Sequence, residues 1–385
     1  MEWMLPLRRL DEAQLDVLRQ CREDDIYSIW IEGFAGSGKS VLLIHALQEY
    51  VIKNPKHKVC VVVFTRALLD LLKSGISPNF RDSVKVMTYL NFVDKDKENY
   101  DLIVVDEVQD IPVKVLEKIK ARAKKMIVGG DDAQSIYIYG SRGDKIEAVL
   151  NPVRLRLPMV YRLTKKIIKI VKTILPEGVM VSATSGRAED IQVALAHANN
   201  KDSEFSWVWK QAKRFTETRH PSVIILPNHF SVQEFIRFVA DFEGIGHPPL
   251  DLDNWGKNID YSKTNAFLRS NDLSVILQYL GNAHGSLETS SSRPIVYVMT
   301  YHSAKGLDFR TVFLPQLNSH VEFWRDDPEI DRRLFFVGMT RSRRDLFLSY
   351  HSEEPHQYVL DMPQGDLRKI DIAKESTNLD EDFIF

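Results

Sequence analysis

The chain has 385 residues, of which 44% are hydrophobic and 27% are charged, and its formal net charge at pH 7 is −2. This is the composition of a soluble globular protein with about two domains of roughly 100–200 residues each. The near-neutral balance excludes a protein that covers nucleic acid with a uniformly basic surface, although it leaves room for a local basic channel.

Cysteine usage and hydropathy narrow the class of protein further. The two cysteines, Cys21 and Cys60, form no CxxC pair, so the sequence predicts neither a disulfide framework nor a zinc site. No apolar stretch approaches the ~18 residues of a membrane span, and the N-terminus has no signal-peptide pattern. We therefore expect a cytoplasmic protein with no membrane partner.

Short apolar runs alternate with helical patterns along the first part of the chain. The runs lack polar alternation, as strands covered on both faces do. Together with helical patterns over 41–52 and 113–124, they predict an α/β domain with a doubly wound parallel sheet over residues 1–155. The predicted strands are Ile29–Glu32, Val59–Phe64, Leu102–Val105 and Met126–Val128.

The second part of the chain repeats this pattern and predicts a second domain over residues 156–365. The segment 244–294 is richer in Gly, Asn, Asp and Ser, which indicates an irregular insertion. Residues 366–385 lack apolar periodicity and are interpreted as an acidic C-terminal tail. The predicted strands are Ile191–Leu195, Val223–Leu226, Val296–Met299, Thr311–Leu314 and Leu346–Ser349.

Residues 33–40 fit the phosphate-loop pattern GxxxxGK[ST] between a predicted strand and a predicted helix, a context that disfavours a chance glycine-rich turn. Glycines let backbone N–H groups turn towards phosphate oxygens, and the helix N-terminus favours negative charge. Lys39 is expected to reach the β- and γ-phosphates of ATP, and Ser40 to bind Mg²⁺. The predicted nucleotide-binding residues here are Gly33, Gly36, Ser37, Gly38, Lys39 and Ser40.

The apolar run 102–105 is followed directly by two carboxylates, Asp106 and Glu107, at its C-terminal end. Ligands of open α/β sheets bind at such strand ends. We expect Asp106 to hold Mg²⁺ and Glu107 to orient and deprotonate the attacking water. A solvated strand end is the alternative, which the preceding phosphate loop in the same domain disfavours.

Several further segments resemble the motifs of superfamily 1 helicases. Residues 106–110 resemble the DExQD form of motif II, and residues 130–137 resemble motif III of the UvrD/Rep branch. Residues 299–309 are similar to motif V, residues 336–343 to motif VI, and residues 10–14 to the Q motif. The resemblance spans nearly the whole chain. It implies two RecA-like domains with the ATP site in the cleft between them.

The resemblance also implies roles in ATP hydrolysis. Gln14 would read the adenine edge, and Gln134 would sense the γ-phosphate. Arg341 of motif VI would be an arginine finger. Residues 157–162 resemble motif IV, which would make Arg162 a second finger and would stack Tyr161 on adenine. In motif V, Gly306 and Asp308 would lie near the nucleotide, although Asp308 replaces the usual Glu.

A second set of side chains would face single-stranded DNA, with RNA as the alternative. Aromatic side chains stack on bases of any sequence, and polar ones contact the backbone. For Tyr89, packing in the protein and stacking on a base are both left as alternatives. Two lysine-rich helical faces are interpreted as exposed to solvent. The implied contacts are Phe64, Thr65 and Arg66 (motif Ia), Thr88 (Ib), Tyr137 and Tyr139 (III), and Thr300, His302 and Lys305 (V).

Short spacings predict a minimal form of this family that lacks its accessory insertion domains. Only eight residues, Phe92–Asn99, separate the motif Ib segment from the strand that carries the acidic pair, and Thr300 lies 138 positions after Arg162. We expect an ATP-dependent single-strand translocase or helicase of 3′→5′ polarity. The alternative is an ATP-switched nucleic-acid-binding protein with little unwinding, acting with partners.

The final residues, 380–385, form an acidic and aromatic tip that resembles the C-terminal peptide of bacterial single-strand-binding proteins. Such a peptide would dock on a protein partner through its aromatic side chains and carboxylates. A solvated tail is the alternative reading.

Overall fold

The computed structural model describes residues 4–137, 139–161, 163–175, 184–185, 192–253, 259–281, 284–324 and 326–379. They fall into two compact units. The first unit comprises the described residues of 2–162 and 181–186, and the second those of 163–180 and 187–385. Each unit is built around one parallel sheet, so the expected α/β fold class is confirmed.

The sheet of the first unit has six parallel strands in the order β3-β2-β4-β5-β1-β6. All five residues of its second strand are buried, as expected for a continuous run of Val and Cys covered on both faces. A separate two-stranded ribbon pairs β7 with β8. The strands are β1 Ser28–Gly33, β2 Val59–Val63, β3 Val84–Thr88, β4 Tyr100–Val105, β5 Ala123–Gly130, β6 Val153–Leu157, β7 Met159–Val160 and β8 Thr184–Ser185.

Helices cover both faces of this sheet. Alternate residues of β1 point to opposite faces, so Ile29 and Ile31 join one apolar cluster while Trp30 joins the other. The predicted helix over 113–124 ends earlier, at Ala121, because residues 123 and 124 begin β5. The helices are α1 Glu12–Cys21, α2 Lys39–Lys53, α3 Arg66–Gly75, α4 Tyr89–Asp94, α5 Val113–Ala121 and α6 Gly143–Leu150.

The sheet of the second unit has seven parallel strands in the order β11-β12-β10-β13-β14-β9-β15. The central strands are apolar and buried. The strands are β9 Gln192–His197, β10 Ser222–Leu226, β11 Ile276–Tyr279, β12 Ile295–Thr300, β13 Phe309–Leu314, β14 Ser342–Tyr350 and β15 Arg368–Asp371.

Helices flank this second sheet as well, and an aromatic-rich core lies beneath α8 and α9. Among the described residues, no helix combines the length and apolar character needed to cross a lipid bilayer. The helices are α7 Lys165–Ile174, α8 Lys201–Phe215, α9 His229–Glu243, α10 Ser262–Ser270, α11 Tyr301–Ala304, α12 Pro328–Met339, α13 Gln357–Leu360 and α14 Ile372–Leu379.

The structure differs from the expected boundaries in three places. Residue 155 lies inside β6, which pairs with β1, so the first unit extends to the motif IV segment. The segment 244–294 contains α10 and the edge strand β11 and is therefore part of the second unit's fold. The predicted tail from 366 includes β15 and α14, because Ile370 and Ile372 are buried and Trp207 Nε1 donates to Glu375 at 2.8 Å.

Candidate functional site

The phosphate loop joins β1 to α2 in the first unit. Gly36 and Gly38 have φ values of 81° and 93°, a conformation that favours glycine, and Gly38 is the N-cap of α2. A Cβ on Gly38 would also lie only 2.7 Å from Gln14 Nε2. The loop therefore has the backbone shape of an anion cradle at a helix N-terminus.

The side chains within this loop fit a phosphate ligand. Lys39 is almost fully buried, and its Nζ donates to Gly33 O at 2.6 Å and to Phe34 O at 3.1 Å. Ser37 Oγ is buried and has no hydrogen-bond partner among the described residues. A buried polar group without a hydrogen-bond partner is unfavourable, so a phosphate oxygen would supply the partner that Ser37 Oγ lacks.

Ser40 and Asp106 meet where α2 begins and β4 ends. Ser40 Oγ donates to Asp106 Oδ2 at 2.7 Å. Strand β5 lies between β1 and β4, and a Cβ on its Gly129 would lie 3.4 Å from Asp106 Oδ1. Burial, and then the charge of Glu107, raises the pKa of the Asp106 carboxyl. A buried carboxylate beside a hydroxyl fits Mg²⁺, which would neutralise charge on the β- and γ-phosphates when bound.

Glu107 belongs to a hydrogen-bonded chain that ends at Gln134. Its φ is 53°, an uncommon left-handed conformation for a residue other than glycine. Gln109 is fully buried, and its Nε2 donates to Glu107 Oε2 at 2.5 Å while its Oε1 accepts from Asp131 N at 3.2 Å. Gln134 Nε2 in turn donates to Asp131 Oδ2 at 2.7 Å. The predicted base and the predicted γ-phosphate sensor are therefore connected through Gln109.

Two residues assigned to the adenine contact the phosphate loop. Gln14 forms a capping box with Asp11 at the start of α1, and its Nε2 donates to Ser37 O at 3.1 Å. Tyr161 N donates to Gly36 O at 2.9 Å, and the Tyr161 hydroxyl is buried without a hydrogen-bond partner among the described residues. Arg162, the predicted second finger, lies outside the described residues.

In the second unit, motifs V and VI are bound to each other. Arg341 is 1% exposed, and its guanidinium donates to Val337 O at 2.8 Å and to Leu307 O at 3.0 Å. Arg343 forms a bidentate pair with Asp308, at 2.5 and 2.7 Å, so the Asp308 carboxylate is engaged by a neighbouring motif. Gly306 has a φ of 78°, and Lys305 is buried.

Three aromatic side chains from different motifs of the first unit pack against one another. Phe64 stacks on Tyr89 with ring centroids 5.1 Å apart, and its centroid lies 4.3 Å from that of Tyr137. Tyr139 is 81% exposed. Tyr89 therefore has a packing role in the group, whereas Tyr139 presents an open ring that could stack on a base.

The threonines assigned to the nucleic acid are helix N-caps. Thr65 Oγ1 accepts from Leu68 N at the start of α3, and Thr88 and Thr300 cap α4 and α11 in the same way. Such caps stabilise helices whether or not a ligand is present. The Arg66 side chain and the tip 380–385 lie outside the described part of the chain.

Two family profiles match the chain. Residues 230–353 match the UvrD-like helicase C-terminal domain, and residues 28–168 match the Schlafen group 3 DNA/RNA helicase domain. Over these two segments the chain is similar to UvrD-like and Schlafen-type helicase domains.

Curated relatives match this chain over short segments. ATP-dependent DNA helicase Rep of Buchnera aphidicola (subsp. Schizaphis graminum) is 35% identical over 88 residues, which are 19% of this chain and 13% of that protein. Rep of Escherichia coli K12 is 34% identical over 103 residues, which are 21% of this chain and 15% of that protein. DNA helicase II of Haemophilus influenzae is 30% identical over 117 residues, with shares of 26% and 16%. The matched segments therefore span less than a fifth of each relative.

A solved structure of arterivirus nonstructural protein 10 (helicase) with DNA aligns with this chain at a TM-score of 0.43 and 14% identity. The alignment covers 88% of this chain and 62% of the viral one.

Two candidate functional residues escaped the sequence reasoning. Gln109 was inside the DExQD string, but its contacts to Glu107 and Asp131 depend on how β4 and β5 lie side by side. Trp324 lies outside the motifs identified in the sequence, and its ring centroid is 5.3 Å from that of His302. The only signal in the sequence was a tryptophan in a polar connection between two motifs.

Proposed function

We propose that this chain is a nucleic-acid-stimulated ATPase that couples hydrolysis to movement along single-stranded DNA. The observation that carries the proposal is the contact of Ser40 Oγ with Asp106 Oδ2 at 2.7 Å. It joins the phosphate loop to the acidic pair and leaves oxygen ligands for Mg²⁺ beside the position expected for the γ-phosphate.

Within this proposal, hydrolysis depends on charge placed around the γ-phosphate. Lys39 neutralises charge on the β- and γ-phosphates, Glu107 takes the proton of the attacking water, and Gln134 senses the γ-phosphate. Arg162 and Arg341 are proposed to supply positive charge to the transferred phosphoryl group. Because Arg341 donates to Val337 O and Leu307 O, its action as a finger requires those bonds to be exchanged for phosphate contacts.

Movement is proposed to follow from closing and opening of the two domains around ATP, with single-stranded DNA gripped alternately. The 3′→5′ polarity is supported by the resemblance of residues 130–137 to the UvrD/Rep form of motif III. Tyr139 supports contact with bases because its ring is 81% exposed.

A test compares steady-state ATP hydrolysis by the wild type and Lys39→Ala, with no polymer, with single-stranded DNA, and with RNA of the same sequence. We expect stimulation by DNA in the wild type and loss of hydrolysis in the variant. Directional displacement of a dye from the end of a labelled strand then tests movement. A low rate that neither polymer changes would count against the proposal.

A specific observation favours a second candidate, an ATP-switched nucleic-acid-binding protein with little unwinding. Only residues 95–99 join α4 to β4, and Arg122 donates to three carbonyls in and beside that connection: Phe92 O, Asp96 O and Glu98 O. No accessory domain is inserted at this point. ATP hydrolysis without directional dye displacement would support the switch over the translocase.

A further inference from the structure

The C-terminal end of α12 holds the guanidinium of Arg341. Helix α12 ends at Met339, Thr340 is its C-cap, and Arg341 follows directly. The last carbonyls of a helix lack intrahelical partners and carry partial negative charge, so they attract a cation. Val337 O is such a carbonyl, and it accepts from Arg341 Nε at 2.8 Å. The end of α12 therefore stabilises the guanidinium in this position.

The hydroxyl of Thr340 connects the same carbonyl to the guanidinium. Thr340 Oγ1 donates to Val337 O at 3.0 Å and accepts from the Arg341 guanidinium at 2.9 Å. Because the hydroxyl proton is used on the carbonyl, the lone pairs of the oxygen are directed towards the cation. Thr340 is fully buried, and a hydrogen bond from a charged donor is strong in such surroundings. The hydroxyl therefore contributes to holding Arg341 in place.

A third contact joins the guanidinium to motif V. Arg341 donates to Leu307 O at 3.0 Å, and the Arg341 carbonyl accepts from Phe309 N at 2.9 Å. Because Arg341 is only 1% exposed, its guanidinium reaches a ligand outside the second unit only by moving, and these three bonds oppose that movement. Two of the three acceptors are backbone carbonyls. The Thr340 hydroxyl belongs to a side chain and is therefore the acceptor that a substitution can remove.

From these contacts we infer that Thr340 is a positioning residue that retains Arg341 at the end of α12 and thereby slows ATP hydrolysis when no nucleic acid is bound. The inference rests on the proposed function, in which Arg341 supplies charge to the transferred phosphoryl group. Lys305, which is assigned to the nucleic acid, lies two residues before Leu307, so a bound strand acts on a segment that holds the guanidinium. The release of Arg341 then limits hydrolysis only in the absence of nucleic acid.

The test measures steady-state ATP hydrolysis by the whole chain with and without saturating oligothymidylate. Thr340→Val removes the hydroxyl, while Val337 O keeps its bond from Arg341 Nε. We expect the variant to raise kcat in the absence of oligothymidylate about 3- to 10-fold, as the loss of one restraining hydrogen bond does. With oligothymidylate, kcat is expected to change less than about 2-fold, so the stimulation ratio falls. KM for ATP is expected to stay within about 2-fold of the wild-type value.

Three controls identify the route of the effect. Thr340→Ser keeps the hydroxyl and is expected to have the wild-type rates. Thr264→Val is the matched control, because Thr264 is also buried and its Oγ1 donates to Pro249 O, outside the motifs. In Arg341→Gln, the residual hydrolysis without oligothymidylate is measured under single-turnover conditions, and adding Thr340→Val is expected to leave it unchanged. A residue that acts through Arg341 has no effect once the arginine is removed.

The outcomes separate this inference from the proposed function. If oligothymidylate stimulates the wild type but Thr340→Val has an unchanged kcat without it, the retaining role is wrong and the proposed function stands. A lower kcat in Thr340→Val would show that the hydroxyl holds Arg341 in its working position, and an equal rise in Thr264→Val would show general loosening. Either result overturns the inference. If Thr340→Val is poorly folded, Thr340→Ala makes the same comparison. A wild type without hydrolysis that depends on Lys39 overturns both.

Discussion

Gln109 Nε2 donates a hydrogen bond to Glu107 Oε2 over 2.5 Å, and both side chains are buried. The same amide accepts from Asp131 N, whose side chain accepts from Gln134. Gln109 therefore fixes the orientation of the carboxylate proposed as the base and connects it to the proposed γ-phosphate sensor. A positioning residue of this kind acts on the rate through Glu107 without contacting substrate.

The first prediction is that Gln109→Leu lowers kcat for nucleic-acid-stimulated ATP hydrolysis by about 10- to 100-fold, with little change in KM for ATP. The reason is that Glu107 keeps its charge but loses its fixed direction. Steady-state kinetics at several pH values checks this. Gln109→Glu serves as the comparison, since a second carboxylate would raise the pKa of Glu107 and move the activity profile to higher pH. Equal kcat values for Gln109→Leu and the wild type would rule out the positioning role.

The second prediction concerns Asp106, whose pKa is raised by burial and by the charge of Glu107. A carboxyl with a raised pKa in the folded state binds more protons folded than unfolded, so its contribution to stability is present at low pH and is lost as pH rises. Asp106→Asn removes this titration. Without nucleotide or Mg²⁺, we expect the variant to be more stable than the wild type, by a margin that grows as the pH rises from about 4 to about 7 and is constant above that, because the pKa of Asp106 is raised from 3.8 to about 6.

Binding of Mg²⁺ and ADP is expected to reverse the order of stability of the wild type and Asp106→Asn. Mg²⁺ with ADP is expected to raise the Tm of the wild type, because binding to the folded state stabilises it. Asp106→Asn lacks the charge that would hold Mg²⁺, so its Tm should rise much less. Thermal denaturation followed by circular dichroism measures both effects. An apo variant less stable than the wild type at every pH would show that the buried charge is compensated by its surroundings.

The phosphate loop and the acidic pair could be predicted because each is a local string beside a continuous apolar strand. The edge strand β15 could not, since only Ile370 within it is buried and its apolar pattern is too short to detect. The role of Gln109 could not be predicted, because its contacts depend on the register of β4 against β5. The contacts of Glu204 with Gln316 and Ser349 could not be predicted either, because they join residues more than a hundred positions apart in the sequence. Local motifs thus specified the proposed ATP site, whereas the contacts that support it are tertiary.

The third prediction tests the short connection between α4 and β4. The Arg122 guanidinium lies 3.7 Å from the Phe92 ring centroid and donates to Phe92 O, Asp96 O and Glu98 O. Arg122→Ala leaves these acceptors without their donor and is expected to destabilise the first unit by about 1–3 kcal/mol. Lys124→Ala is the matched control, because Lys124 is 82% exposed and its ion pair contributes little. Chemical denaturation checks both, and equal midpoints would contradict the role given to Arg122.

The last prediction concerns Gly338, which motif VI places against Tyr301 of motif V. A Cβ at Gly338 would overlap Tyr301 Cε1, and the Tyr301 ring is fully buried and cannot move aside freely. Gly338→Ala should therefore shift α12 or the ring, with a loss of about 1–3 kcal/mol and a Tm lower by roughly 2–12 °C.

Gly365→Ala provides the matched control for this overlap, because nothing lies within 4 Å of a Cβ at Gly365. We expect its stability to change by less than about 0.5 kcal/mol. Since Arg341 follows the C-terminal end of α12 and donates to Val337 O, a shifted helix would also move the proposed finger. Gly338→Ala should thus lose stimulated ATP hydrolysis at temperatures where it is still folded. Unchanged hydrolysis in a measurably destabilised Gly338→Ala would show that the position of α12 does not control Arg341.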